Sequence, residues 1–188
     1  MKIAWGITGA GDYLPETINI MKTLQEKYNL DVTVVLSKSG ELVSKWYHLW
    51  DELRQNFRKV MVEKDANSPF LAGSLQLGKY AFFVVCPASA NTTAKIAHGI
   101  ADSMISNCVA QAMKGGCPIY IYPTDQKLGS LTTLLPNGKK LTLTTRDVDV
   151  DNVERLKHMK GLYILSNPEE IEKIVQNFLQ KKRHNINR

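Results

Sequence analysis

Short, continuous apolar runs that alternate with segments of helical spacing restrict this chain to one broad architecture. Ile3-Ala4-Trp5-Gly6-Ile7 ends at the break Thr8-Gly9-Ala10-Gly11, after which Leu14, Ile18, Met21 and Leu24 recur near helical spacing. Asp31 to Leu36 ends at Ser37-Lys38-Ser39-Gly40 and leads into one predicted helix carrying Leu42, Val43, Trp46, Leu49 and Leu53. Further runs follow at 59–63, 81–86 and 118–123, the last after a helix from Ser103 to Lys114 closed by Gly115-Gly116. Strands that are apolar throughout, instead of alternating with polar residues, are buried on both faces. The pattern therefore predicts an α/β fold: a doubly wound, mostly parallel sheet in a Rossmann or flavodoxin-like three-layer sandwich.

Two departures interrupt the rhythm. Segments 131–135 and 140–144 flank Pro136-Asn137-Gly138-Lys139, and Asn-Gly between such runs signals a β-hairpin inserted over about 130–145. Beyond it come a helix over 151–160, a last strand over 161–165, and a terminal helix that starts near Asn167-Pro168-Glu169-Glu170 and ends in a basic tail, about 181–188. With 188 residues and 44% hydrophobic content, the chain is expected to form a single domain, 1–188. No apolar run has the roughly 18 residues a membrane helix needs, and the N-terminus opens on a strand pattern, so a cytoplasmic location without membrane contact is expected. Cys86, Cys108 and Cys117 form no CxxC pair and read as buried thiols, with no metal site implied. The net charge of +6 is partly in the tail, and no nucleic-acid module accompanies it. Its functional reading is steering of an acidic protein such as a small ferredoxin.

The chemistry concentrates where strands end. After the apolar run 81–86 come Pro87-Ala88-Ser89-Ala90-Asn91-Thr92, all small or hydrogen-bonding, at the C-terminal end of a buried strand, where open α/β sheets bind ligands. The helix predicted next carries Ala94, Ile96, Ala97, Ile100 and Ala101 and ends at Asp102. Thr8, Gly9, Ala10 and Gly11 form a glycine turn suited to a phosphate. They do not fit the G-x-G-x-x-G dinucleotide fingerprint. The second strand ends in Ser37, Lys38 and Ser39 instead of an acidic residue, which suits a terminal phosphate monoester better than a ribose diol and favours FMN over NAD.

The stretch PASANTTAKIAHGIAD resembles the flavin-binding signature of the homo-oligomeric flavin-containing cysteine decarboxylase superfamily. The opening Met1 to Asp12 and the segment Asp125-Gln126-Lys127 are similar to its archaeal branch, the archaeoflavoprotein A and dihydromethanopterin reductase type. The resemblance implies an FMN cofactor, with Pro87, Ala88, Ser89, Asn91 and Thr92 around the ring and Asp102 reaching the ring or ribityl chain of the same or an adjacent subunit. Thr8, Gly9, Ala10, Gly11, Ser37 and Ser39 would hold the phosphate. It also implies a homo-oligomer, a trimer or an assembly of trimers, and the aromatic group Trp46, Tyr47 and Trp50 fits an interface or a helix buried on most sides.

Departures from the superfamily narrow the activity. Where decarboxylases carry a histidine in an H-I-E-L pattern, this chain has Ser74-Leu75-Gln76-Leu77. Where they carry P-x-M-N-x-x-M-W, it has Pro123-Thr124-Asp125-Gln126-Lys127. His98 reads as a surface or packing residue rather than a replacement base. The full basic set of the prenyl-transferring branch is also absent. The expected function is an FMN-dependent oxidoreductase, reduced by a ferredoxin-like donor and reducing a pterin such as dihydromethanopterin. A pure electron carrier without its own substrate is the alternative, ahead of flavin prenyltransferase or decarboxylase chemistry and of a flavin-storage role.

Overall fold

The computed structural model describes residues 1–186. Six strands form one parallel sheet: β1 (Lys2–Ile7), β2 (Asp31–Leu36), β3 (Lys59–Val62), β4 (Phe83–Ala88), β5 (Ile119–Pro123) and β8 (Leu162–Ile164). Their order, β3-β2-β1-β4-β5-β8, reverses direction between β1 and β4. The doubly wound sheet expected from the apolar runs is thus present, with strand side chains sorted by parity. Ile3, Trp5, Ile7, Phe82, Val84 and Cys86 enter one core layer, while Ala4, Phe83 and Val85 enter the other. On the first side pack α1 (Leu14–Tyr28), α3 (Trp50–Asn56) and α8 (Glu170–Ile186). On the second pack α4 (Ala72–Gln76), α5 (Ala90–Ala97), α6 (Met104–Lys114) and α7 (Asp147–Lys157).

Trp5 anchors the layers. It is fully buried, donates its Nε1–H to the Cys86 carbonyl at 2.7 Å and meets Phe57 edge-on at 5.3 Å. All three cysteines are buried, and desolvation pushes the Cys86 and Cys108 thiols up to about 12 and Cys117 to about 11. They are packing groups, as the sequence implied. No helix among the described residues is long and apolar enough to cross a membrane.

Two local expectations are corrected. The helix predicted through Leu42 to Leu53 is two: α2 (Lys38–Trp46) and α3, separated by His48 at φ 59°. Trp46, Tyr47 and Trp50 therefore do not share one helix face; Trp46 is half exposed, whereas Trp50 packs against the core between Lys45 and Arg54. The motif helix stops at Ala97, not Asp102, because His98 and Gly99 (φ 70°) turn the chain out of it. The basic tail is helical through Ile186; residues 187 and 188 lie outside the described residues.

The hairpin β6 (Ser130–Leu134) and β7 (Lys140–Thr144) forms as predicted, and its tip turns at Gly138, φ 77°. Its chain returns to the body through Arg146, whose Nε and Nη2 donate to Asp149 Oδ2 and Oδ1 at 2.8 and 2.6 Å. That hydrogen-bonded pairing holds the buried Asp149 carboxyl below its ordinary 3.8. Near that pH the unfolded chain binds the extra proton, so stability rises with pH there. The contribution is full above about pH 4 and is lost as pH falls through the lowered native value. Thermal melts over a pH series are expected to show Asp149→Asn losing part of this acid dependence. A variant as acid-sensitive as the parent would assign that dependence elsewhere.

Candidate functional site

In a sheet whose strand order reverses, the loops leaving the two central strands diverge to opposite faces and open a crevice at their carboxyl ends. Here the reversal brings the loop after β1, residues 8–13, against the loop after β4. Thr8 joins them. Its fully buried hydroxyl donates to the Pro87 carbonyl at 3.0 Å and accepts from the Ser89 N–H at 2.8 Å. Two motifs nearly eighty residues apart in sequence are thus tied through one side-chain oxygen.

The β1 loop also meets the end of β2. A Cβ added at Gly9 would fall 2.8 Å from the Ser39 Cβ, and one at Gly11 2.5 Å from the Tyr47 ring. Only glycine lets these segments approach so closely. Among the described residues, the N–H groups of Gly9, Ala10, Gly11 and Asp12 donate to no protein acceptor. Successive unpaired donors ahead of a helix N-terminus are the kind of backbone arrangement that anion sites use. Ser37 caps α2 by accepting from Gly40 N at 2.9 Å, and Ser89 caps α5 by accepting from Thr92 N at 3.4 Å. Ser39 and Asn91 are exposed at these two helix starts, while Pro87 and Ala88 belong to the buried end of β4, where its register with β5 slips.

The structure therefore gathers Thr8 to Gly11, Ser37, Ser39, Pro87 to Ser89, Asn91 and Thr92 along one sheet edge. Asp102 stands apart in its interactions: it lies beyond the end of α5 with both carboxylate oxygens 2.9 Å from Lys95 Nζ. His98 bonds Asn152 Oδ1 on α7 at 3.1 Å, which agrees with a packing role.

Other site residues were not anticipated. Glu63 at the end of β3 accepts from Lys38 N at 3.1 Å and Met104 N at 3.2 Å, so one carboxylate caps the starts of α2 and α6. A charge directly after an apolar run was its only signal. Thr93 Oγ1, in the opening turn of α5, is buried without a partner among the described residues. Beside the crevice, under the hairpin, lies a cavity of about 290 Å³ whose walls include Asp12, Tyr13, Tyr122, Asp125, Leu131 and Leu143. Burial, then the neighbouring Tyr13, keeps the Tyr122 hydroxyl protonated far above its ordinary 10.0.

Residues 1–183 match a family model described as flavoprotein. A protein of Methanocaldococcus jannaschii described as uncharacterized is 57% identical over 183 residues, 97% of this chain and 98% of its own length. The dihydromethanopterin reductase (acceptor) of the same organism is 41% identical over 161 residues, 80% of this chain, which spans 65% of that relative's length. The solved structure of Burkholderia xenovorans DmrB in complex with FMN, described as a cubic protein cage for redox transfer, is similar with a TM-score of 0.79 and 30% identity, covering 97% of each chain.

Proposed function

This chain belongs to the flavoprotein family, and we propose that it is an FMN-dependent oxidoreductase taking electrons from a ferredoxin-like donor and delivering them to a pterin such as dihydromethanopterin. The observation that carries the reading is the Thr8 tie. It fixes a loop of four unpaired N–H donors against the small, polar loop after β4, across the switch point of the sheet. The residues fit FMN. The N–H groups of Gly9, Ala10 and Gly11, with the Ser37 and Ser39 hydroxyls, suit the phosphate. The backbone at Pro87 and Ala88, with Ser89, Asn91 and Thr92, offers donors and acceptors to the polar edge of a flat ring. FMN bound there supplies reversible hydride or electron transfer, which no side chain of this site provides.

The protein's own part is to orient and to restrain. Gly9 and Gly11 let the backbone reach the phosphate, and Thr8 holds the two loops at fixed spacing. Glu63 locks the starts of α2 and α6 together behind them. The redox names of the reductase relative and of DmrB favour this reading over decarboxylation. So does the stretch Ser74–Leu77, which forms α4 and its C-cap and offers no ionisable base. We further propose a homo-oligomer. Leu42 is 70% and Trp46 50% exposed on α2, and an isolated two-stranded hairpin needs a packing partner for stability. Asp102, paired with Lys95 beyond the end of α5, would then serve a neighbouring subunit.

The visible spectrum of the purified protein, recorded before and after anaerobic addition of reduced ferredoxin, tests the function. Oxidised-flavin bands that bleach, and recover on adding a dihydropterin with formation of its tetrahydro product, are expected. A colourless protein that takes up no FMN overturns the reading. Bleaching without any pterin turnover would leave a pure electron carrier.

A further inference from the structure

The hairpin has two unlike faces. On one, Ser130 and Thr144, and Thr132 and Thr142, are joined by hydroxyl hydrogen bonds of 3.1 and 2.9 Å. On the other, Leu131 stands opposite Leu143. Both leucines remain about half exposed, at 43% and 53%, yet they line the cavity beside the crevice. Below them Tyr13 and Tyr122 meet edge-on at 5.1 Å. The cavity is lined by these leucines and tyrosines together with the polar side chains of Asp12, Thr124, Asp125, Gln126 and Lys127, and its 290 Å³ falls just below the roughly 300–1,000 Å³ typical of ligand pockets. It suits one fused ring system, not a nucleotide.

The two carboxylates differ. Asp125 Oδ2 already accepts the Thr124 hydroxyl at 2.8 Å, and Arg146 lies within range of its charge. The Asp12 side chain has no hydrogen-bond or salt-bridge partner among the described residues, and its own N–H is the last of the four unpaired N–H groups of the β1 loop. The opposite wall adjoins the other loop, since Thr124 N donates to the Ala88 carbonyl at 3.0 Å. The cavity thus borders both loops assigned to the flavin.

We propose that this cavity is the acceptor subsite and takes a flat heteroaromatic ring of the 2-amino-4-oxopyrimidine class, with the Asp12 carboxylate accepting from its ring N–H and exocyclic amino group. Those two donors point the same way along one ring edge and match the two oxygens of a carboxylate. Leu131 and Leu143 cover a ring face and lose their exposure when it is filled. The inference rests on the redox reading above for what lies beside the ring, but its recognition chemistry is independent of the flavin.

The test uses pterin, which carries the 2-amino group, and lumazine, which has a carbonyl there, titrated calorimetrically into the protein with and without FMN. Pterin is expected to bind the parent protein and to bind Asp12→Asn about 10- to 100-fold more weakly, the scale of a charge-assisted hydrogen-bond pair. Lumazine, whose carbonyl faces the carboxylate, is expected to bind more weakly than pterin and not to lose affinity in the variant. Leu143→Asp, on the exposed hairpin, should weaken both. Equal pterin affinity for parent and Asp12→Asn overturns the proposal, as does FMN uptake without pterin binding. Pterin binding that depends on Asp12 in a protein that takes up no FMN supports the subsite and overturns the flavin reading instead.

Discussion

Gly40→Ala is expected to lower the melting temperature by roughly 6–12 °C, the equivalent of about 3 kcal/mol in a domain of this size. Intrinsic helix propensity predicts the opposite sign, since alanine inside a helix is favoured over glycine by about 1 kcal/mol. The contact decides. Gly40 lies in the first turn of α2, where an added Cβ would stand 2.4 Å from the Ile7 carbonyl oxygen and 3.2 Å from that of Thr8. Both obstacles are backbone in or next to β1, so no rotamer change relieves them. The helix start must move away from β1, taking the Ser37 and Ser39 hydroxyls with it. FMN affinity, read from quenching of flavin fluorescence, should fall at least about tenfold with it. A Gly40→Ala protein that is as stable as the parent or more so would mean that α2 does not sit against β1 this closely.

The sheet was legible because each strand is a continuous apolar run and each glycine-rich break falls at a strand end. The ties between the loops were not. Thr8 reads in sequence as one more residue of a glycine turn, and its partners are about eighty positions away. Parallel pairing of β1 with β4, which sequence does not specify residue by residue, is what brings them together. The break at His48 was hidden for a different reason. Leu42, Val43, Trp46, Leu49 and Leu53 keep helical spacing straight through it, and the left-handed position is held by histidine instead of the usual glycine. His48 N donates to the Lys45 carbonyl and Leu49 N to that of Ser44, closing α2 without a sequence mark. At α5 the mark was present in Gly99, but the apolar Ile100 and Ala101 carried the period past it. The cavity under the hairpin was the least legible feature. It needs the end of β5, the start of α1 and the hairpin at once, and exposed leucines in a hairpin give no sign of which surface they face.

Thr8→Val is expected to uncouple the two loops. Valine nearly keeps the shape of threonine and creates little cavity, so the effect isolates the hydroxyl. Its loss strands two groups in a buried position: the Pro87 carbonyl loses its donor and the Ser89 N–H loses its acceptor. An unsatisfied buried group costs about 1–3 kcal/mol, which puts the substitution at about 2–6 kcal/mol. Relaxation would cap that cost by letting the β4 loop swing until water reaches both groups, and this movement is what should damage the site. FMN uptake is therefore expected to fall at least about tenfold even at temperatures where the variant stays folded by circular dichroism. Thr8→Ser supplies the control. It keeps the oxygen and deletes one methyl group at a cost of about 1 kcal/mol, so flavin uptake should survive in it while stability drops slightly. Serine failing as badly as valine would assign the role to packing of the Thr8 methyl group. Valine retaining FMN at parental affinity would show that the loops hold their spacing without the tie, and the assignment of this crevice as the flavin site would lose the observation that carries it.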